Sequence, residues 1–307
     1  MVSAVKLDTM RIVISGSSGL IGSALVSSLG AAGHEVVRLV RSTTDGATPE
    51  SVWDPAGGEI DPTAIDGADA VINLNGRSIA GARWSGAVKD DLRSSRLDST
   101  RLLATTVGQS EHPPRVFINA SAVGFYGDRG EEHLDESSPG GRGFLADLAR
   151  DWEDAACAAE SDRTRVALLR LGMVIAGGGA LERMLTPFKL GLGGPIGSGR
   201  QFWPWVGIDD VCGVVDFVLN HDIRGPVNVV APEELRNSDF SRTLGRALSR
   251  PAIVPTPAFA VRLALGEMAN ALLLGSQRVR PKVLEQAGYE FRAPTLDDAL
   301  RTALADR

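Results

Sequence analysis

Three glycines at fixed spacing, Gly16, Gly19 and Gly22, stand between an apolar run, Ile12-Val13-Ile14, and a helical pattern with apolar residues at Leu20, Ile21, Ala24, Leu25 and Leu29. Gly33 follows, where a residue with positive φ ends a helix. Residues 35–40 then return as a second apolar strand. Strand, glycine loop, helix and strand in this order make a βαβ unit of the dinucleotide-binding type. Each glycine has a physical task there. Gly16 permits the tight turn, Gly19 lets backbone approach a pyrophosphate, and Gly22 lets helix pack close to strand. The free N–H groups at the helix start face the phosphates. Gly16, Ser17, Ser18, Gly19, Leu20, Ile21 and Gly22 are therefore the first expected cofactor contacts.

The end of the second strand selects the dinucleotide. An NAD site places a carboxylate there to grip the ribose 2′-OH. The acid nearby, Glu35, opens the strand instead, about 20 Å from its far end. At that end stand Val40, Arg41 and Ser42, which suit a 2′-phosphate through a charge-assisted contact. The expected cofactor is NADP(H).

The rest of the chain continues the alternation of strand and helix. Residues 42–69 are turn-rich with a short strand near 51–53, and residues 70–74 form a buried strand. Leu74, Asn75 and Gly76 follow its carboxyl end, so they should lie against the adenosine half of the cofactor. A long helix is expected over 88–107. Asp91 and Arg96 on it are expected to reach the cofactor, with an ion pair between them as the alternative. A strand over 115–120 delivers Ala120 and Ser121 to the same edge, followed by Tyr126 and an acidic loop, 128–136, expected to be solvated. Phe144, Leu148, Trp152 and Ala156 repeat every four residues as the core face of a helix. Residues 165–171 form another strand, beyond which Val174 completes the cofactor contacts.

Nine glycines fall between residues 172 and 199, around an amphipathic segment at 181–190. This insertion is placed to cover the crevice. Arg83, Trp84, Lys189, Arg200, Trp203 and Trp205 are expected to line a substrate cleft, with inter-domain packing as their alternative. Asp209 or Asp210 should cap a helix over 211–219, and a strand follows at 226–230. Only helical patterns remain, at 238–249, 257–274, 279–287 and 295–305. The expected fold is α/β: a Rossmann-type doubly wound parallel sheet (10–175 and 206–231) with a smaller, mostly helical lid and C-terminal domain (176–205 and 232–307). Residues 1–9 form a loose N-terminal extension.

Bulk properties narrow the function class. With 43% hydrophobic and 23% charged residues, the 307-residue chain is an ordinary globular protein. A net charge of −6 argues against a nucleic-acid partner. Two cysteines and four scattered histidines provide no disulfide framework and no metal site. Charges interrupt the most apolar late segment, 258–274, so no membrane span is expected, and a cytoplasmic location follows.

The glycine motif at 16–22, Ser121 after its strand and Val206-Gly207-Ile208-Asp209-Asp210 together resemble the extended short-chain dehydrogenase/reductase superfamily, which includes nucleotide-sugar epimerases. Residues 121–127, 190–201, 237–251 and 272–281 resemble one atypical branch, often labelled "epimerase family", "sugar-nucleotide epimerase-like" or "cell-division-inhibitor-like". The resemblance covers nearly the whole chain, and departs from the branch at Gly207, where a histidine is expected. The superfamily's usual chemistry needs a tyrosine acid/base with a lysine four residues on. The matching helix reads Phe144-Leu145-Ala146-Asp147-Leu148-Ala149, so that pair is absent. Neither Tyr126 nor Tyr289 has a lysine four residues later.

The resemblance implies an NADP-dependent oxidoreductase acting on a small carbonyl, hydroxyl or sugar-nucleotide-like substrate. Ser121 would polarise the substrate oxygen, and Tyr126 or water would supply the proton. Tyr126 as a packing residue is the alternative, since a phenol with pKa near 10 is a poor base. Two other functions stay open: nucleotide-sugar epimerisation, and a non-catalytic NADP(H)-dependent sensor or scaffold.

Overall fold

The computed structural model describes residues 9–44, 46 and 48–305; residues 1–8 of the extension expected over 1–9, Asp45, Ala47 and the last two residues lie outside the described residues. In chain order the elements are β1 (Arg11–Ser15), α1 (Leu20–Ala31), β2 (Glu35–Val40), β3 (Glu50–Asp54), β4 (Glu59–Ile60), β5 (Ala70–Asn73), α2 (Gly86–Gln109) and β6 (Val116–Ala122). They continue with β7 (His133–Leu134), α3 (Phe144–Cys157), β8 (Arg165–Leu171), β9 (Met173–Ile175), α4 (Gly179–Lys189), β10 (Trp205–Gly207), α5 (Ile208–Asn220) and β11 (Gly225–Val229). The C-terminal part holds α6 (Asn237–Ala247), α7 (Ala258–Leu265), α8 (Glu267–Ala269), β12 (Arg278–Val279), α9 (Lys282–Ala287) and α10 (Leu296–Ala305).

The main sheet runs β11-β8-β6-β5-β1-β2-β3-β4, parallel throughout except for the β3/β4 hairpin at its edge. Its order reverses at β1: β2 and β3 extend one way, and β5, β6, β8 and β11 the other. Adjacent crossovers leave to opposite faces at such a point, and a crevice opens beyond the carboxyl ends of the strands. Side-chain alternation along β1 feeds both faces. Ile12 and Ile14 join Leu25 and Leu29 of α1 and Val211, Val214 and Val215 of α5. Val13 joins Leu103 and Val107 of α2 and Ala156 of α3. Strands covered on both faces must be apolar at successive positions, which is why these runs lack a polar stripe.

A third core joins Ile175, Leu181, Leu185 and Phe188 to Phe240, Leu244 and Leu300, with Trp203 and Trp205 at its centre. The two tryptophans thus pack this core instead of lining a cleft. Trp205 is fully buried, and Trp203 packs edge-on to Phe240 with 5.6 Å between ring centroids. The expected long helix over 257–274 breaks into α7, α8 and a π-helical turn because Gly266 takes φ +63°. Nor is Asp210 a helix cap. Fully buried, it accepts bonds from the Tyr289 hydroxyl and the Arg292 and Ala293 N–H groups, fastening the chain before α10 onto α5.

The acidic loop is likewise more than solvated. Its β7 pairs with β12. Asp128 accepts from Ser276 N–H, Glu136 from Asn228 and Val283 N–H, and Asp135 pairs with Lys282 at 2.7 Å. The Lys282 ammonium, helped by the Ser137 hydroxyl, holds the Asp135 carboxyl down at about 2. A carboxylate whose folded pKa is depressed stabilises above its unfolded pKa, and that stability is lost as pH falls through the folded value. The Tm gap between wild type and Asp135→Asn is therefore expected to be full above about pH 4 and to close towards pH 2. Melting curves across that range check it; a gap independent of pH would dissociate the effect from ionisation.

Candidate functional site

The glycine loop sits at the switch point and is pressed against its surroundings. Gly16 has φ +70°, and a Cβ on it would lie 2.7 Å from the Leu74 carbonyl carbon and oxygen. A Cβ on Gly22 would lie 2.2 Å from the Gly16 carbonyl oxygen. The chain can therefore turn from β1 into α1 only with glycine at both places. Helix α1 starts at Gly19 with no side-chain cap, leaving its first-turn N–H groups to a ligand or solvent. Helix α4 begins against this loop: a Cβ on Gly179 would meet Leu20 at 2.9 Å. Dinucleotide pyrophosphate fits a cradle of this kind.

Polar side chains fasten the floor of the crevice. Ser15 Oγ donates to Asn73 Oδ1 at 2.6 Å, and Asn73 Nδ2 donates to Asn119 Oδ1 at 2.7 Å and Thr100 Oγ1 at 2.8 Å. These bonds tie the carboxyl ends of β1 and β5 to the middle of β6 at full burial. Beyond β5, Leu74 and Asn75 are half-buried and Gly76 is exposed. Arg41 is exposed beyond β2 and borders a cleft of about 430 Å³ with Val52, Trp53 and the β3/β4 hairpin.

Arg96 is 6% exposed and, among the described residues, has no carboxylate partner. Its guanidinium bonds the carbonyls of Leu92 and Arg77, lies 5.1 Å from the Trp152 ring, and packs against Gly76. Burial without a counter-ion pulls its pKa down to about 10. The expected ion pair with Asp91 does not form. Asp91 is exposed and pairs with Arg77 instead. Ala120 is buried against Leu97 and Trp152, and Val174 is half-buried in the β9/β10 pair.

Ser121 and Tyr126 belong to one buried chain of bonds. Ser121 Oγ donates to Glu153 Oε1 at 2.6 Å. Glu153 receives two bonds of 2.8 Å from Arg170, from Nε and Nη2. Arg170 Nη1 donates to the Tyr126 hydroxyl at 3.0 Å, and that hydroxyl donates to Asn228 Oδ1 at 2.7 Å. Tyr126 is wholly buried, and burial raises its pKa despite the opposing pull of Arg170. Its role as a proton donor to substrate is corrected accordingly: it fills space and links β8 to the loop below. Arg170 lies 3.5 Å from the Phe125 ring centroid; burial, the largest single influence, works against its charge, but the bonds and charge of Glu153 together with Tyr126 raise its pKa on balance.

Glu153 and Arg170 were missed in the sequence, although each breaks an apolar pattern. Arg170 interrupts the run of β8, and Glu153 adjoins Trp152 on the core side of α3. Two opposite charges inside apolar faces were the available signal.

Of the expected substrate residues, Trp84 and Arg83 share one loop. Trp84 meets Phe144 edge-on at 5.1 Å, and Lys89 and Arg93 lie over the same Phe144 ring. The Arg83 guanidinium packs on Gly266, and Lys89 pairs with Glu267, so this loop touches the C-terminal part. Lys189 and Arg200 are exposed, and their main-chain carbonyls accept from Arg250 and Arg236. No contact among the described residues joins either to Ser121. No group of metal-binding side chains occurs among the described residues, and no helix there is long and apolar enough to cross a membrane.

Comparison with known proteins agrees with this geometry. A family profile described as the NAD dependent epimerase/dehydratase family matches residues 12–230, and a domain of unknown function matches residues 256–303. An epimerase family protein of Mycobacterium leprae is 44% identical over 294 residues, covering 95% of each chain. Among solved structures, the human epimerase family protein SDR39U1 (isoform 2), crystallised with NADPH, is 36% identical with a TM-score of 0.89, covering 97% of this chain and 100% of that one. A nucleoside-diphosphate sugar epimerase from Corynebacterium glutamicum is 34% identical with a TM-score of 0.78, covering 97% of this chain and 59% of that one.

Proposed function

Because the chain belongs to the NAD dependent epimerase/dehydratase family, we propose that its crevice binds NADP(H) and that the protein is an oxidoreductase of a small carbonyl, hydroxyl or sugar-nucleotide-like compound. The observation that carries this reading is the Gly16–Gly22 cradle, closed to a side chain at Gly16 and at Gly22 and opening on uncapped helix N–H groups. The NADPH found with the human relative supports it, as does exposed Arg41 in place of a carboxylate after β2. NADP(H) bound there supplies or accepts the hydride.

The protein's own groups orient the substrate. Ser121 turns its proton from Glu153 towards the substrate oxygen, while Arg170 keeps Glu153 fixed. With Tyr126 sealed in the interior, water delivers the proton. Phe144, on the helix that matches the usual tyrosine helix, and Trp84 against it offer an apolar wall with Lys89 and Arg93 beside it.

Titration of the protein with NADPH and NADH, followed by nicotinamide fluorescence, tests the cofactor; loss of NADPH with a panel of carbonyl compounds tests the chemistry. Ser121→Ala is expected to lower turnover by about 100-fold at unchanged NADPH affinity. Equal turnover would remove Ser121 from the mechanism, and failure to bind either dinucleotide would overturn the whole reading.

One observation favours a second reading. The helix that matches the usual dyad puts apolar residues at both places in either alignment, Phe144 and Leu148 or Leu145 and Ala149, and both remaining hydroxyl candidates are tied into internal bonds. Tight NADPH binding with no turnover across the panel, and a partner captured only with NADPH present, would favour a sensor.

A further inference from the structure

The large apolar side chains that protrude furthest gather on one face. Among the described residues they are Leu190 and Leu192 after α4, Ile253, and Phe259 and Leu263 of α7, each between 59% and 79% exposed. Such exposure belongs to side chains that stand out from a surface, not to the lining of a cleft. Main-chain bonds hold the segments that carry them side by side. The Val254 N–H donates to the Gly193 carbonyl at 3.2 Å, the Thr256 N–H to the Pro195 carbonyl at 2.8 Å, and the Gly197 N–H to the Thr256 carbonyl at 2.9 Å. Helix α7 follows at once. Phe259 and Leu263, four residues apart, share its outer face, while Val261 is buried on the inner one.

Charge singles out the same face. The chain carries 38 acidic residues against 32 Lys and Arg, yet no Asp or Glu occurs over 183–208 or 240–266, the two stretches that build the face. Lys189, Arg250 and Arg262 are exposed there. Arg250 donates to the carbonyls of Lys189 and Ser249, and Arg262 to the Asn270 side-chain oxygen, all neutral acceptors. Among the described residues none of the three pairs with a carboxylate, whereas Arg242 and Arg246 on neighbouring α6 do.

Apolar side chains beside unneutralised cations ask for an occupant that is both apolar and anionic. A second copy of the chain is disfavoured, because a two-fold contact would lay this face on itself and bring like charges together. An anionic bilayer surface supplies both parts: acyl chains for the leucines and Phe259, headgroup phosphates for the cations. The net charge of −6 opposes approach by the rest of the molecule, so contact is confined to the acid-free stretches. We propose that the face formed by 190–192, 253–254 and α7 docks the protein on an anionic membrane surface, lying on the bilayer without crossing it. The proposal does not depend on what the crevice binds.

Co-sedimentation with vesicles of phosphatidylcholine alone, and of phosphatidylcholine mixed with phosphatidylglycerol, tests it. Wild type is expected to bind the mixed vesicles at least about 10-fold more tightly than the neutral ones, and to lose that preference at high salt. Phe259→Ser/Leu263→Ser is expected to weaken binding to the mixed vesicles by at least about 10-fold. Arg250→Gln/Arg262→Gln is expected to weaken it by about 10-fold and to remove most of the preference for anionic lipid. Both variants change only exposed side chains, and urea melting shows whether each is folded; should one fail to fold, the other decides. Binding that survives in the folded variants overturns the proposal by placing the contact on another face. A wild type that stays in solution with the mixed vesicles overturns it as well, whether the face then covers a second copy, seen as a dimer that Phe259→Ser/Leu263→Ser dissociates, or an acidic partner protein.

Discussion

Gly22→Ala is expected to weaken NADPH binding by at least about 100-fold, although it adds one methyl group. The new Cβ would stand 2.2 Å from the Gly16 carbonyl oxygen and 2.7 Å from the Ser17 Cα. Both neighbours are backbone, so neither can rotate aside. Restoring ordinary contact means moving the start of α1 by about 1 Å from the loop. That displacement falls on the uncapped N–H groups that would face the pyrophosphate. Gly30→Ala, in the same helix about two turns later, is the control. A Cβ there meets nothing within 4 Å. That change is expected to stabilise the fold by roughly 0.5–1 kcal/mol, since glycine is the poorer helix former. Fluorescence titration and urea melting of both variants check the pair. NADPH binding by Gly22→Ala at wild-type strength would show that the helix start does not hold the cofactor.

What could be read in advance follows from which forces are local. The βαβ unit was legible because a close backbone approach demands glycine and a two-sided sheet demands unbroken apolar runs. Strands 35–40 and 165–171 accordingly fall where the pattern puts them. Elements fixed by partners far along the chain were not legible. The acidic loop looks solvated until Lys282, Ser276 and Asn228, between about 90 and 150 residues later, take up its carboxylates. Asp210 reads as a helix cap in the sequence, yet it lies inside α5 and its acceptors are claimed by residues 289–293. The candidate site divides in the same way. The phosphate cradle is a short-range pattern, whereas the environment of Ser121 depends on a helix and a strand that meet only in the fold. Tyr126 misled for a related reason. Its position after Ser121 suggested a substrate contact, but Arg170, which takes its hydroxyl, lies 44 residues away.

Removing either member of the Glu153–Arg170 pair is expected to cost about 3–5 kcal/mol, the second large effect. Both side chains are more than nine-tenths buried, with Glu153 6% and Arg170 4% exposed. Arg170→Met leaves the Glu153 carboxylate in the interior with only the Ser121 hydroxyl, and Glu153→Leu leaves a guanidinium with only a phenol. Attraction between the pair offsets the cost of taking each out of water, so the cost returns in full when one partner goes. The double variant Glu153→Leu/Arg170→Met buries no charge. It is expected to lose only about 1–3 kcal/mol, for the Ser121 donor left without its acceptor. Urea unfolding of the four proteins closes the cycle, and the single losses should exceed the double by several kcal/mol in sum. Additive losses would mean that each residue stabilises the fold by packing alone. The same set separates structure from function at Ser121. If Glu153 only orients that hydroxyl, the double variant remains folded and binds NADPH, while any turnover falls with the lost orientation rather than with the cofactor.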